Sequence, residues 1–533
     1  MLSATHAEQF SEEERAALAP YFTNTDRHVF ALTNLPETVK GALFARYSRS
    51  AKSLRRLFLD EFASEMPAGP AQAHEVGIAR AEKLYARVFN EYGDDSVAQL
   101  GGAHVACEYV SNVLTKVLEW GRLMAYLEQS TRYVPYTDTL HGRWRYHVPA
   151  EVTGDLEARY VRTMDETFAS YAKWIPAMQE HFARRYPRNP SDSEAVHRAA
   201  IRAKALDTLR GMLPAATQSN VGLYGTGQAF EALLLRMRAH PLLEARECAN
   251  AMLEELRKVI PAFLTRVDIF ERGGRWSEYL AGTRHETTSL ADALLQGITA
   301  EDRAEVTLTD FDPDGEIKIV ASALYGSSDL PDDQLHSIAR RMSADDRARV
   351  LRAYVGTRSN RRHKPGRAFE RTTYRFDILT DYGAFRDLQR HRLLTLEWQP
   401  LTTRHGFTEP EAIREAGAGD DWDRVLEASA SLYERMASAN LGAAAQYAVA
   451  MAYRIRFYME MNAREAMHLI ELRTAPQGHP AYRRVCQQMH HLIAEKAGHR
   501  AVADAMIFAD HSAVELERLG SERTLEKKRS QAG

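Results

Sequence analysis

The sequence predicts a chain of two similar halves, each of which combines helices with strands. Three segments of the first half, residues 40–50, 119–133 and 231–248, resemble residues 317–328, 389–405 and 468–486 in the same order, which favours a duplicated domain. From Pro241 onward, apolar side chains recur at helical spacing and predict an amphipathic core helix. Residues 372–379 alternate between polar and apolar side chains, so they predict a strand of the second half.

The length and composition of the chain are those of a globular protein with more than one domain. Its 533 residues are too many for one ordinary core, and 45% are hydrophobic and 26% charged. The formal net charge of −3 gives no overall field that would attract nucleic acid or an anionic membrane, so a bound anion requires a local cluster of cations.

The cysteines, the N-terminus and the lack of a long apolar run indicate the cellular compartment of the protein. Cys107, Cys248 and Cys486 show no paired spacing, which favours buried thiols in a reducing cytoplasm. The acidic N-terminus lacks the apolar region of a signal peptide, and no apolar run approaches the length of a membrane span. We therefore expect a cytoplasmic protein without nucleic-acid or membrane partners.

Changes in pattern divide the chain into five segments. These are a polar lead-in with one short helix (1–25), a first repeat (26–280), a charged linker (281–303), a second repeat (304–515) and a charged tail (516–533). In the second repeat, residues 306–311 and the turn signal at Asp312–Gly315 predict a hairpin that leads into a helix. From Trp422 onward the pattern predicts mostly helix.

Arg390-His391-Arg392 is the first candidate for binding chemistry. In the middle of a helix these side chains would point over roughly 200° and could not share a partner. At the start of a helix they could, because free N–H groups and the positive end of the helix dipole add to their charge. The apolar, helix-like run that follows the tripeptide to Pro400 would form that helix. Because arginine is suited to phosphate, the tripeptide at its start predicts an anion site. The alternative is a solvated basic turn.

Two further clusters combine polar groups with regular spacing. Residues 462–473 predict a helix that carries Asn462, Arg464, His468 and Arg473 among leucines, although an ordinary amphipathic helix would look similar. Glu128, Ser130 and Arg132 alternate, which places them on one side of an extended segment. They offer a small polar ligand a carboxylate, a hydroxyl and a guanidinium, although hydrated loops often have this composition.

Together these motifs resemble the flavin-dependent thymidylate synthases, whose signature is Arg-His-Arg, seven residues and then Ser-x-Arg-Tyr. The second half keeps Arg390-His391-Arg392 but has Pro400 at the serine position. The first half has Trp120-Gly121-Arg122 in place of Arg-His-Arg but keeps Ser130-Thr131-Arg132-Tyr133. Each half therefore keeps the part of the signature that the other has lost.

Three more elements of that family find matches here. The late-helix signature matches Asn462, Arg464, His468 and Arg473, whereas the first half keeps only Arg236 and has Gly225, Gly227 and Glu231 at the flavin-side positions. The Arg-x-x-Leu-Pro element, which supplies an arginine for the nucleotide phosphate, matches Arg210–Pro214, whereas the second half has Gln446-Tyr447. The upstream His…Pro-Phe-Glu element resembles His363, Phe369 and Glu370 with its proline displaced to Pro365, and residues 92–100 of the first half have none of these groups.

The resemblance implies an α+β fold: two fused copies of a flavin-dependent thymidylate synthase-like domain, helix-rich with a small antiparallel sheet in each. Members of the family are homotetramers with sites where subunits meet, so the resemblance implies a homodimer of fused chains with composite sites. The residues it assigns to FAD are His363, Glu370, Arg390, His391, Arg392, Asn462, Arg464 and His468. Those it assigns to the substrate dUMP are Glu128, Ser130, Arg132, Arg210, Arg236 and Arg473.

The implied activity is the reductive methylation of dUMP to dTMP. NADPH would be the reductant and methylenetetrahydrofolate the carbon donor, and the chemistry would take place on the flavin, so no side chain is assigned as catalytic. A divergent paralogue that binds flavin or nucleotide without synthase activity is the main alternative, because relaxed catalytic demand also leaves split motifs. A scaffold protein without a cofactor is a third interpretation.

Two other patterns predict no site. Residues 222–230 contain Gly-x-Gly, but we expect no preceding strand in a βαβ unit, so a dinucleotide-binding loop is not predicted. Cys486, His490 and His491 supply too few ligands on one helix for a tetrahedral metal centre.

Overall fold

Two compact units account for the described part of the chain. A computed structural model describes residues 8–27, 29–47, 50–65, 99–132, 134–140 and 142–532. Unit 1 comprises Met1–Glu108, Gly121–Glu128 and Asn220–Ile298, and unit 2 comprises Tyr109–Trp120, Gln129–Ser219 and Thr299–Gly533. The units differ from the two halves of the sequence, because residues 129–219 of the first half pack with the second half.

The described residues form nine strands and twenty α-helices. The strands are β1 (Gly102–Ser111), β2 (Met124–Glu128), β3 (Thr139–Leu140), β4 (Arg143–Trp144), β5 (Gln218–Thr226), β6 (Val306–Phe311), β7 (Thr373–Asp381), β8 (Thr395–Trp398) and β9 (Arg454–Asn462). The helices are α1 (Glu12–Leu18), α2 (Glu37–Tyr47), α3 (Leu54–Glu61), α4 (Asn112–Leu118), α5 (Gly154–Arg185), α6 (Glu194–Leu209), α7 (Gly227–Arg238), α8 (Leu243–Arg257), α9 (Arg275–Leu294), α10 (Gly315–Tyr325), α11 (Asp332–Arg341), α12 (Ala344–Val355), α13 (Tyr382–Leu388), α14 (Glu411–Glu415), α15 (Gly419–Ser438), α16 (Gly442–Ala445), α17 (Ala463–Arg473), α18 (Pro480–Glu495), α19 (Arg500–Asp504) and α20 (Leu519–Ala532). Tighter 3-10 turns cover Ala63–Glu65, Arg210–Met212, Pro261–Asp268, Arg367–Arg371 and Gln446–Ala448, and a π turn covers Phe270–Gly274. None of the described helices has the length and apolarity needed to cross a membrane.

Unit 1 contains a three-stranded sheet with the order β1-β5-β2. Strands β2 and β5 are antiparallel, with Met124 opposite Gly225 and Glu128 opposite Val221. The predicted core helix is confirmed as α8, whose buried side chains include Ala249, Met252 and Leu256. Helix α9 buries none of its residues and covers part of the segment that the sequence marked as a linker.

Unit 2 contains a four-stranded antiparallel sheet with the order β6-β7-β9-β8. The strand predicted at 372–379 is confirmed as β7. The predicted hairpin after β6 is wrong, because β6 pairs with β7, with Val306 opposite Ile378. The turn leads directly into α10 instead: Asp312 accepts hydrogen bonds from the backbone N–H groups of Asp314 and Gly315, at 3.0 Å each.

Strands β8 and β9 differ from the helical expectation for their segments. The run before Pro400 forms β8, which pairs with β9 and places Thr395 opposite Glu460. In β9 the buried residues alternate along the strand (Ile455, Phe457, Met459 and Met461), which is the period-2 pattern of a strand inside a mostly helical region. Strand β5 was also missed, although it runs directly into α7 at the Gly-x-Gly segment.

The two halves repeat one order of elements, which confirms the duplicated α+β fold. The first half runs β1-α4-β2, then β5-α7-α8, and the second runs β7-α13-β8, then β9-α17-α18. The corresponding sheets have the same strand order, β1-β5-β2 and β7-β9-β8.

Equivalent loops of the two halves pair within unit 2. The backbone N–H of Ala215 donates to Val449 O at 2.8 Å, and that of Met451 donates to Leu213 O at 2.9 Å. The bridge is antiparallel and is centred on Pro214 and Ala450. This pairing fixes the Arg210–Met212 turn of the first half against the second half.

Candidate functional site

Arg390-His391-Arg392 lies at the end of a helix and not, as the sequence predicted, at the start of one. Helix α13 begins at Tyr382, eight residues before Arg390, where the Asp381 carboxylate accepts a hydrogen bond from Ala384 N at 2.8 Å. Its last turn closes with the bond from Gln389 N to Phe385 O at 2.8 Å, and the tripeptide then turns into β8. The negative end of the helix dipole faces this turn, so attraction for an anion rests on the side chains.

The carboxylate of Asp387 is shared by arginines from both halves. Arg390 forms a hydrogen-bonded ion pair with it across one helical turn. Arg473 Nη1 lies 3.7 Å from Asp387 Oδ1, and Arg210 Nη1 of the first half lies 3.8 Å from Asp387 Oδ2. Burial alone would raise the pKa of Asp387, but Arg390, Arg473, Arg210 and, at longer range, Arg132 hold it well below its usual value. Four guanidinium groups thus surround one ionised carboxylate. We call this group, Asp387 with Arg132, Arg210, Arg390 and Arg473, the Asp387 cluster.

Arg132 is anchored between two segments of unit 2. Its guanidinium pairs with Asp207 of α6, with Nε 2.8 Å from both carboxylate oxygens and Nη2 2.7 Å from Oδ2. Its Nη1 donates to Gln477 O at 3.3 Å and contacts Tyr482 Oη at 3.4 Å. Burial would lower the pKa of Arg132, but the charge of Asp207 raises it above its usual value.

Ser130 belongs to a turn, not to the extended segment that the alternation predicted. Its Oγ accepts a hydrogen bond from Arg132 N at 3.3 Å, and its carbonyl oxygen accepts one from Val134 N at 3.2 Å. The turn follows β2, which ends at Glu128, so Ser130 and Arg132 leave the strand direction. Tyr133 lies outside the described residues, as do residues 92–98 of the upstream first-half element.

Arg210 carries a donor that no described residue satisfies. The side chain is buried in the turn after α6, and its Nη2 has no hydrogen-bond partner among the described residues. A Cβ atom on Gly383 would lie 3.1 Å from Arg210 Nε, so the glycine permits the close approach of α13. A buried guanidinium donor without an acceptor is costly, so a ligand oxygen at this position would lower that cost.

His391, Glu465 and His468 form a second, adjoining group. Arg473 Nε donates to His391 Nε2 at 3.0 Å, and His391 Nδ1 lies 3.4 Å from Glu465 Oε1. Burial, with the charge of Arg473, holds the pKa of His391 well below its usual value, so the ring is neutral and carries its proton on Nδ1. Burial also raises the pKa of Glu465 to about 7, against the lowering effect of Lys364.

The charges around this group favour an anion over a metal ion. Ligand atoms of His391, Glu465 and His468 lie within 4.8 Å of one another, a spacing that a metal could use. Burial, together with the charges of the neighbouring cations, lowers the pKa of His468 to about 4; these cations are Lys364, Arg361, Arg473 and Arg464. A metal cation would be repelled by the same charges, whereas the diphosphate of a dinucleotide would be attracted.

The remaining second-half residues lie around α17. Asn462 caps this helix, since its Oδ1 accepts from Glu465 N at 2.9 Å. Arg464 Nε donates to Pro365 O at 2.9 Å, and its Nη1 lies 3.7 Å from Glu370 Oε1. His363 is exposed, and its Nε2 contacts the amide nitrogen of Asn360 at 3.0 Å. Arg392 is exposed beyond His391.

Two residues assigned to the substrate from the motifs belong to unit 1. Glu128 is buried at the end of β2. Arg236 lies on α7, where burial lowers the pKa of its guanidinium. Unit 2 contains the other assigned residues, and it brings Arg132, Arg210, Arg390 and Arg473 together.

Sequence reasoning missed the carboxylates of the site. Asp387 stands three residues before Arg390, and Asp207 stands three residues before Arg210. The three-residue spacing of Asp387 and Arg390 is a local signal for their ion pair that could have been read, whereas Asp207 pairs with Arg132. The long-range pair Arg132–Asp207 has no such local signal.

The reciprocal combination would join the Arg-His-Arg position of the first half to the Arg-x-x-Leu-Pro position of the second half. In this combination, aromatic and neutral side chains stand at the counterparts of Arg390 and Arg210. Trp120 takes the place of Arg390, and its ring meets that of Trp398 edge-to-face with the centroids 6.1 Å apart. Trp120 Nε1 donates to Leu396 O at 3.1 Å. Gln446, at the position of Arg210, accepts a hydrogen bond from Leu401 N, next to Pro400, at 3.0 Å. The Arg-His-Arg position of the first half therefore meets the second half through indoles, without the cations of the Asp387 cluster.

Comparisons with known proteins agree with the duplicated fold. The family model described as "Thymidylate synthase complementing protein" matches residues 41–262 and 307–497. The chain is 37% identical over 520 residues to a UPF0159 protein of Chlamydia muridarum (strain MoPn / Nigg), covering 96% of this chain and 98% of that protein. It is 30% identical to a UPF0159 protein of Thermoplasma acidophilum, covering 91% and 97%. A flavin-dependent thymidylate synthase of Mycobacterium sp. (strain JLS) is 29% identical over 190 residues, which cover 35% of this chain and 70% of that enzyme.

Proposed function

Because this chain belongs to the thymidylate synthase complementing protein family, the flavin-dependent thymidylate synthases, we propose that it converts dUMP to dTMP at one composite site in unit 2. The Asp387 cluster carries the proposal. It joins Arg132 and Arg210, from the motifs kept by the first half, to Arg390 and Arg473, from the motifs kept by the second. Of these four arginines, only Arg473 has an arginine counterpart in the reciprocal combination, Arg236. We therefore propose one such site in the described part of each chain.

The Asp387 cluster is suited to the phosphate of dUMP. Four guanidinium groups stand against two carboxylates, Asp387 and the Asp207 partner of Arg132, which leaves a surplus of positive charge, and Arg210 Nη2 is a buried donor without an acceptor among the described residues. Arginine binds phosphate through planar, charge-assisted hydrogen bonds. Ser130 adds a hydroxyl near Arg132. Glu128 and Arg236, which the motif also assigned to the substrate, belong to unit 1 and are not part of this cluster.

The adjoining cations fit FAD. The proposed ligands are His363, Glu370, Arg390, His391, Arg392, Asn462, Arg464 and His468. Lys364 and Arg361, whose charges act on His468, add positive charge that would suit a diphosphate. Bound flavin would supply the reducing equivalents, with NADPH as reductant and methylenetetrahydrofolate as carbon donor. The neutral His391 ring carries its proton on Nδ1, beside the Glu465 carboxyl. We also propose that two fused chains associate as a homodimer.

Visible absorption of the purified protein tests the proposal. We expect the bands of oxidised flavin, their loss on addition of NADPH, and a spectral change with dUMP, followed by dTMP formation with methylenetetrahydrofolate. Arg390→Ala should yield a colourless protein. Arg349→Ala, which removes an exposed arginine of α12 paired with Asp346, is the matched control and should remain yellow.

A flavin- or nucleotide-binding paralogue without synthase activity is the second candidate. It is favoured by Pro400, which lacks the hydroxyl and the N–H of serine, and by the engagement of Arg132 with Asp207. Flavin that does not respond to dUMP would support this candidate. A colourless protein that FAD cannot reconstitute would refute the synthase and the flavin-binding form of the second candidate.

A further inference from the structure

A second cationic cleft lies in unit 2 and uses none of the residues assigned above. Its cavity measures about 580 Å³ and lies between residues 300–305, the loop at 404–408, the start of β9 and α18. Its charged lining comprises Arg303, Arg404, His405, Arg454, Arg456 and Arg484, with the acidic residues Glu301, Asp302 and Glu305. The fold thus gathers five arginines and a histidine against three carboxylates.

Most of these charges are already paired. Arg484 Nη2 lies 2.7 Å from Glu305, and Arg456 Nη1 lies 2.7 Å from Asp377 of β7. Arg303 pairs with Glu301. Asp302 is exposed at the rim. Two guanidinium groups of the cleft, those of Arg404 and Arg454, therefore remain without a carboxylate partner among the described residues.

Arg404 and Arg454 form no ion pair with any described carboxylate. Arg454 Nε is also buried and has no hydrogen-bond partner among the described residues. A buried charged donor without an acceptor is costly unless a ligand supplies one. An anion bound in the cleft would supply the acceptor that Arg454 Nε lacks among the described residues.

Gly406 brings the loop and the strand together. Its φ of 67° is in the left-handed region, and a Cβ atom there would lie 2.8 Å from Arg454 Nη2. Arg454 N donates to Gly406 O at 2.9 Å, which ties the loop to the first residue of β9. Consequently, Arg404 and His405 are held beside the Arg454 guanidinium.

The histidine faces the same charges. Burial lowers the pKa of His405, and the charges of Arg456, Arg454 and Arg404 lower it further. The neutral form of the ring is therefore favoured, and one of its nitrogens can donate to an incoming oxygen. Three nitrogen-bearing side chains converge on one space.

We propose that Arg404, His405 and Arg454 form an anion-binding site that takes a phosphate or carboxylate group of a small ligand. The anion supplies the missing acceptor for Arg454 Nε and neutralises the two guanidinium groups that lack carboxylate partners. This site does not depend on the proposed thymidylate synthesis, since it shares no residue with the Asp387 cluster.

Histidine NMR of the full chain tests the site locally. The protein is labelled at histidine ¹³Cε1, and the His405 resonance is assigned by its loss in His405→Gln. Sodium pyrophosphate and triglutamate are titrated separately against sodium chloride of matched ionic strength. A shift with pyrophosphate alone identifies a phosphate site, and a shift with triglutamate alone identifies a carboxylate site.

Variants decide whether the two arginines hold the anion. We expect Arg454→Gln and Arg404→Gln each to weaken binding by about tenfold or more, because each removes a charge-assisted hydrogen bond. Arg375→Gln, on β7 and paired with Glu460 at 2.9 Å, should bind as the wild type does. Arg404→Lys keeps the charge and should keep part of the affinity.

Two results would overturn the proposal. One is a His405 resonance that neither anion moves beyond the chloride control. The other is an Arg454→Gln protein, folded by its thermal unfolding profile, that binds as tightly as the wild type does.

Discussion

Asp387→Asn tests whether one carboxylate holds arginines from both halves together. Asparagine keeps the shape of the side chain but removes the charge that Arg390, Arg473 and Arg210 share. The three guanidinium groups would then face one another across a neutral amide, with the Asp387 position only 14% exposed to solvent. We expect a lower free energy of unfolding.

The structure sets the size and the pH dependence of this loss. Removing one partner of a buried ion pair costs about 3–5 kcal/mol, and we expect about 3 kcal/mol here because Arg390 is partly exposed. The folded-state pKa of Asp387 lies below the usual 3.8, so its contribution to stability is present above pH 3.8 and is lost as the pH falls through the folded pKa. The wild type and the variant should therefore converge in acid.

Urea unfolding at pH 7, followed by circular dichroism, measures the difference in midpoint. Asp310→Asn is the control, because Asp310 is exposed on β6 and its loss should change the free energy of unfolding by less than about 0.5 kcal/mol. Inorganic phosphate should stabilise Asp387→Asn more than the wild type, since it replaces the missing anion. Equal midpoints for Asp387→Asn and the wild type, or equal effects of phosphate, would refute the reasoning.

Two further substitutions probe buried charges. The pKa of Glu465 is raised from 4.5 to about 7 in the folded protein, so its carboxyl stabilises the fold below pH 4.5 and this contribution is lost as the pH rises through 7. Glu465→Gln should therefore raise stability at pH 8 by about 2–3 kcal/mol and flatten the pH profile in urea titrations; an unchanged profile would contradict this. Glu471→Gln leaves Arg358 without its bidentate partner, at 2.7 and 2.6 Å, and should cost about 3–5 kcal/mol in the same assay, whereas no loss would show that the pair is not needed.

Elements with a strong local pattern were predictable from the sequence. Helix α8 and strand β7 carry complete apolar periods, and both formed as predicted. Strand β8 was taken for a helix because its few residues are decided by pairing with β9, whose segment lies about 60 residues later. Propensity is a weak guide where tertiary pairing decides the structure.

The site was predictable as a set of motifs but not as a geometry. The split signature indicated which arginines matter, and unit 2 contains Arg132, Arg210, Arg390 and Arg473 together. Asp387 could not be identified as their shared partner, because three of these arginines approach it from distant positions in the sequence. Arg390 lies at a helix end because α13 begins at the Asp381 cap. The composition of the tripeptide does not reveal where that helix begins.

The bridge between Ala215 and Val449 has a consequence for synthesis on the ribosome. Its two strands are about 230 residues apart in the chain, so the first cannot be paired until the second has emerged. At about 5–20 residues per second, this delay is roughly 12–46 s. During that interval the nascent segment 129–219 lacks the surface against which it finally packs. Chaperones that shield apolar nascent chains would therefore find this segment accessible during the delay, and a transcript truncated before β9 would release it unpaired.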